Sequence, residues 1–244
     1  MENAIYIALS SQMALQRQTD VVANNLANLS TPAFKGEEML FSQFLVRPEG
    51  NGPLAFVQDV GTARNLQQGP ISRTGNSLDV ALQGSGYFAV QTPLGTRYTR
   101  NGHFQLDAQN QLVTTQGYAV LSDGDQPLQM PSNVRDITIA PDGTISASQD
   151  GTKVSTKIGK LEVVDFANPQ AVTPGANGLY VTDQTPQPAT ATVQQGMLEE
   201  SNVQPVVELT RLLGVSRAFA GINNFLALES KRQLDAIDKL GKVS

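Results

Sequence analysis

The sequence predicts an α+β fold: an all-β central domain flanked by an N-terminal and a C-terminal helix. Three observations carry this. Residues 1–30 contain neither Gly nor Pro, and residues 31–200 hold nearly all of the 21 Gly and 13 Pro. After Val206 there is no Pro, and Gly stands only at positions 214, 221 and 241. Apolar residues recur with a helical period in the two flanks, whereas in the middle they come in short runs separated by turn residues.

In the N-terminal flank, stepping by three and four from Ile5 gives Ala8, Gln12, Leu15, Thr19, Val22, Leu26 and Leu29. This is a largely apolar stripe, and Arg17 and Asp20 fall outside it. Thr31-Pro32 is expected to stop the helix, because proline disfavours helical geometry in the residue before it. The C-terminal flank repeats the pattern at Leu212, Val215, Phe219, Ile222 and Leu226, then weakens through Glu229 and Gln233. Pro205 suits the first helical turn, where its missing N–H would have no partner anyway. A helix of this kind draws most of its stability from burying its stripe. The stripes can pack on the β domain, on each other as a coiled-coil pair, or on another copy of the chain. The Pro/Gly-rich breaks beside them favour a separate helical module.

The middle reads as β. Short apolar or alternating runs recur at 78–82, 87–91, 97–99, 104–106, 111–114, 118–121, 137–139, 145–147, 160–166, 179–182 and 190–193. Asn101-Gly102 between two runs predicts a hairpin, and Asp142-Gly143 and Asp150-Gly151 are similar. The expected organisation is an N-terminal helix over 1–31, a connector over 32–74, a β-rich domain over 75–195 and a C-terminal helix over 196–244. Within the connector, Phe41, Phe44 and Leu45 form a short amphipathic stretch ahead of the break RPEGNGPLAF.

Composition excludes several functions. The 244 residues are 40% hydrophobic and 16% charged, with a net charge of -5. That suffices for a core and leaves no basic stripe for nucleic acid. No cysteine is present, so disulfides, thiolate zinc sites and thiol nucleophiles are impossible. No apolar run approaches the roughly 20 residues of a membrane span, so no direct membrane insertion is expected. Glu2 stands where a secretory signal needs positive charge, and the first basic residue is Arg17, so no ordinary signal peptide is expected.

No catalytic constellation emerges, and no catalytic residue, cofactor or metal is expected. His103 is the single histidine and reads as a hairpin residue. Asp123 and Asp125 lack the spaced ligands of a calcium loop and read as turn residues. Gly84-Ser85-Gly86 precedes a strand, so the helix of a phosphate cradle is missing. Glu199 and Glu200 read as acids at a helix entrance, where the dipole favours them. Asn24, Asn25 and Asn28 are placed to hydrogen-bond between packed helices, or to form the polar end of the first one. A β-rich protein that binds or hydrolyses cell-wall carbohydrate is the rival of another class. It would want an aromatic cleft and paired carboxylates, and this chain has no Trp and 6% aromatics.

Three stretches resemble the flagellar rod and hook protein family. Residues 22–35, VANNLANLSTPAFK, resemble its N-terminal motif at Asn24, Asn25, Leu26, Ala27, Asn28, Thr31, Phe34 and Lys35. They depart from it at Ala33, where the family usually has Gly, and Ala tolerates a positive φ poorly. Residues 84–121, from GSGYF through YTRNGHF to LVT and GY, resemble the family's β domain. Residues 196–213, GMLEESNVQPVVELTRLL, resemble its lead-in to the last helix. The length and the MENAIYIALS opening are most similar to the proximal-rod branch, with the distal-rod branch as the alternative.

The resemblance implies a structural, non-enzymatic subunit that polymerises into a hollow drive shaft in the periplasm. It implies that Ile5, Leu15, Val22, Asn24, Asn25, Leu26 and Asn28 pair with Leu212, Val215, Phe219, Ile222 and Leu226 and serve assembly. Its partners would be other rod proteins and copies of itself. It would reach the rod through the flagellar type III export apparatus without a cleaved signal. Phe41 and Leu45, in Phe41-Ser42-Gln43-Phe44-Leu45, resemble the family's export-gate element; as an i, i+4 pair they could equally be packing residues.

Overall fold

Long helices form at both ends, where Gly and Pro are scarce and apolar residues recur with a helical period: α1 over Glu2–Ala27 and α2 over Pro205–Gly241. The computed structural model describes residues 2–46, 54–132, 134–149 and 155–241. Helix α1 stops ahead of the Thr31-Pro32 break. There Asn28 Nδ2 donates to Asn24 O at 2.9 Å, adding a side-chain bond to the one from Asn28 N at 3.2 Å in the last turn. Proline opens α2, as its missing N–H suggests.

The chain divides into two compact units. The first holds Met1–Asn28, Glu37–Asn65 and Val203–Ser244; the second holds Leu29–Gly36 and Leu66–Asn202. In the first unit, strands β1 (Glu37–Val46) and β2 (Leu54–Arg64) form an antiparallel hairpin with a register shift between Leu40 and Phe41. The hairpin and α2 both pack against α1. Much of the region read as a connector is therefore regular β structure. Phe41 and Leu45 lie in an extended strand, so they do not form a helical i, i+4 pair.

The second unit is all β among its described residues, apart from two single-turn helices. Its strands are β3 (Ile71–Arg73), β4 (Val80–Gln83), β5 (Tyr87–Thr92), β6 (Gly95–Thr99), β7 (Phe104–Leu106), β8 (Leu112–Thr114) and β9 (Ala119–Val120). They continue as β10 (Val134–Ile139), β11 (Thr144–Gln149), β12 (Ser155–Lys160), β13 (Val163–Asp165), β14 (Thr173–Pro174), β15 (Leu179–Val181), β16 (Gln187–Pro188), β17 (Thr192–Gln195) and β18 (Met197–Glu199). The main sheet runs β14-β15-β6-β5-β9-β8-β7; β10-β11-β12 form a second sheet, and β17-β4 and β18-β3 form pairs.

Strand β5 shows why its sequence is a continuous apolar run rather than an alternating one. Phe88 and Val90 enter a core with Leu82, Phe104, Leu112 and Ile145. Tyr87 enters a second core with Phe166, Val172 and Tyr180. A strand covered on both faces has no polar side to display.

Asn101-Gly102 is not a hairpin turn. Strand β6 pairs with β5 and β15, and β7 pairs with β8. Gly102 instead lets another backbone approach: its carbonyl accepts from Val80 N at 3.0 Å. A Cβ there would lie 1.7 Å from Val80 O. Asp142-Gly143 does join β10 to β11. Asp150-Gly151 lies outside the described residues.

Candidate functional site

In the first unit the helices run antiparallel. Ile7, Ala8 and Ser11 share a groove with Ala218, Gly221, Ile222 and Phe225, while Gln18 and Val22 share another with Glu208 and Arg211. Gln12 Nε2 donates to Asn223 Oδ1 at 3.4 Å beside the first of these grooves. Val22 and Val215 are buried, and Ile5, Leu15, Leu26, Leu212, Phe219, Ile222 and Leu226 are half-buried. Arg211 joins α2 to the hairpin, donating to Glu208 Oε1 at 2.8 Å and to Glu38 Oε1 at 3.0 Å.

The asparagines serve the chain just beyond α1. Buried Asn25 binds the backbone of Glu37 rather than α2: its Nδ2 donates to Glu37 O and its Oδ1 accepts from Glu37 N, both at 2.9 Å. Asn24 is exposed.

Another set of apolar residues on the same helices faces outward. Tyr6, Leu9 and Met13 on α1 are exposed, as are Leu209, Leu213, Leu228, Leu234 and Ile237 on α2. The spacing of Tyr6, Leu9 and Met13 is helical, so they form a strip on one side of α1.

In the second unit, a buried ion cluster centres on Glu199. This carboxylate is not at a helix entrance; it ends β18, and α2 starts only at Pro205. Glu199 Oε1 accepts from Lys35 Nζ at 2.6 Å and from Gly69 N at 3.0 Å. Its Oε2 accepts from Arg100 Nε at 2.6 Å. The guanidinium also donates to Gly86 O and Gly84 O, at 2.8 and 2.6 Å. The Gly84-Ser85-Gly86 loop thus turns carbonyls, not amides, toward a charged group. Side-chain exposure is 6% for Lys35, 7% for Arg100 and 1% for Glu199. Burial pushes the Lys35 ammonium below its ordinary value, against the pull of Glu199 and with a further push from Arg100.

Three family matches fall in the N-terminal, central and C-terminal parts of the chain. Residues 5–35 match the family described as flagella basal body rod protein. Residues 81–147 match the flagellar hook protein FlgE/F/G D1 domain, and 194–221 the C-terminal part of the flagellar basal body rod FlgEFG proteins. The flagellar basal-body rod protein FlgF of Caulobacter vibrioides is 37% identical over 251 residues, spanning 100% of both chains. FlgF of Mesorhizobium japonicum is 34% identical, again over 100% of both. FlgG of Buchnera aphidicola is 32% identical over 97% of this chain and 99% of its own.

The chain belongs to the flagellar basal-body rod protein family. It is a structural protein and not an enzyme. Lys35, Arg100 and Glu199 lie in the three stretches that resemble the rod family, and the fold brings them to one point. No local pattern announces that meeting, because Lys35 lies 164 and Arg100 99 residues from Glu199.

One acidic group sits apart from the cluster. Burial pushes the Glu162 carboxyl up to about 7, and Asp125 and Asp123 add to the push. Glu162 Oε2 is buried without a hydrogen-bond partner. Asp125 sits in a turn at φ 55, as its turn reading suggests. His103 is bridged to Asp79, its Nδ1 lying 2.6 Å from Asp79 Oδ1.

Proposed function

We propose that this rod subunit polymerises through its helical unit with copies of itself and with other rod proteins, in the proximal part of a periplasmic drive shaft. The exposed apolar strip carries this reading. The stripes read from the sequence are largely taken up inside the subunit, while Tyr6, Leu9, Met13, Leu213 and Leu228 remain on the surface. Among the described residues no helix is long and apolar enough to cross a membrane, so the strip is not a span. Burying it against a neighbouring subunit is favourable by about 25 cal/mol for each Å² of apolar surface. Delivery by the flagellar export apparatus, with Phe41 and Leu45 as a recognition element, belongs to the same proposal.

Leu213→Asp tests it. The side chain is exposed, so the variant keeps its fold, and basal bodies isolated from cells carrying it lack a complete rod. Wild-type rods in that strain overturn the reading. Phe219→Asp, which puts a charge on the half-buried stripe of α2, also blocks assembly. Rod length in a strain without the gene separates a proximal subunit from a distal one.

A further inference from the structure

Three of the four places where the chain crosses between its two units, at 36/37, 65/66 and 202/203, lie within a few residues of the Glu199 cluster in sequence. The second unit consists of 29–36 and 66–202, and the segments leading to these three crossings are 33–36, 66–70 and 199–202. Lys35 Nζ donates to Gln67 O at 2.7 Å, and Asn202 Nδ2 donates to the same carbonyl at 2.8 Å. Ala33 N donates to Glu199 O, Asn202 N to Phe34 O and Glu200 N to Pro70 O, at 2.8, 3.2 and 2.8 Å. Gly36 N donates to Asn202 Oδ1 at 2.8 Å. Arg100 follows β6 directly, and its grip on Gly84 and Gly86 reaches the start of β5.

We propose that Glu199 is a latch that makes these boundary segments open together, as one cooperative unit anchored to β5 and β6. A single carboxylate holds two cations and one amide, each from a different stretch of chain. Losing one partner of a buried ion pair is costly because the other is left uncompensated. Removing Glu199 strands both cations, whereas removing Lys35 leaves a balanced Glu199–Arg100 pair. The two losses are therefore unequal, and Glu199 is the element the others depend on. In an assembled rod, tension along the chain at these three crossings would meet a shared latch rather than three separate ones. That use rests on the rod reading; the latch does not.

Amide hydrogen exchange on the full chain in solution tests the latch without any assembly. In the wild type, the amides of Ala33, Gly36, Gly69, Glu200 and Asn202 exchange with one common opening rate. In Glu199→Gln all five speed up roughly a hundredfold or more, while the turn amides of Gly117 and Asp125, bonded to Thr114 O and Ser122 O away from the cluster, do not change. Unrelated rates in the wild type overturn the latch. So does a change under about threefold in the variant, or equal acceleration of the two turn amides. Should Glu199→Gln fail to fold, Lys35→Met decides: Ala33, Gly36 and Asn202 speed up while Gly69 stays protected. Uniform acceleration, or none, overturns it.

Discussion

Asn25 is the hydrogen-bonding partner of Glu37: its amide accepts from Glu37 N and donates to Glu37 O, both at 2.9 Å. It does for the first residue of β1 what a neighbouring strand would do. With Asn25 buried at 2% exposure, truncation leaves both backbone groups without their partner and without full access to water. Asn25→Ala is expected to lower the unfolding free energy by about 2–3 kcal/mol in urea denaturation. Exposed Asn24→Ala should stay within about 0.5 kcal/mol. Equal effects of the two would show that the clamp contributes nothing.

Gly102 and Gly117 separate two reasons for glycine. A Cβ on Gly102 would strike Val80 O at 1.7 Å, so the backbone of β4 would have to move. Gly117 has φ 84 and open space around it. Gly117→Ala should cost about 1–2 kcal/mol, from its left-handed conformation alone. Gly102→Ala should cost at least about 3 kcal/mol, in the range of severe core disruptions, or prevent folding. Comparable melting temperatures for the two variants would refute the close-approach account.

The flanks and the middle were legible because periodicity reports local burial. Val22 and Val215 fall on their stripes and are buried, and the continuous apolar run of β5 is covered on both faces. Three features were not legible. Asn101-Gly102 carries hairpin chemistry, but a contact from β4, distant in sequence, sets its conformation. Glu199 beside Glu200 looks like helix-entrance charge, and only tertiary pairing with Lys35 and Arg100 reveals its role. The β1-β2 hairpin has no clean alternation in EEMLFSQFLV, so its strands could not be told from a connector. Ala33 is an instructive case: it keeps a φ of 58 where the family motif usually has Gly. Its position is held by the bond from Ala33 N to Glu199 O, at 2.8 Å.

Glu162 gives stability a pH dependence. Its carboxyl is pushed up to about 7 in the folded chain from an ordinary 4.5. The folded state therefore holds the proton more tightly, and the contribution is complete below about 4.5. It declines as pH rises toward about 7 and is lost above that. Glu162→Gln removes this slope, so the variant should melt higher than the wild type above pH 7 and similarly near pH 4.5. An unchanged slope in the variant would assign the titration to another group.

Phe41 offers a test of export that leaves the fold intact. Deleting residues 41–45 is a poor choice, since removing an odd number of residues from β1 sends every later side chain of that strand to the opposite face. The Phe41 side chain is 44% exposed, so Phe41→Ser sacrifices little packing. The variant should show a circular dichroism spectrum and melting temperature close to the wild type. Its level in the culture supernatant of a strain that secretes unassembled rod subunits should fall, while the level inside the cell rises. Undiminished secretion would leave Phe41 as an ordinary strand residue, and the export element would then have to be sought elsewhere in the chain.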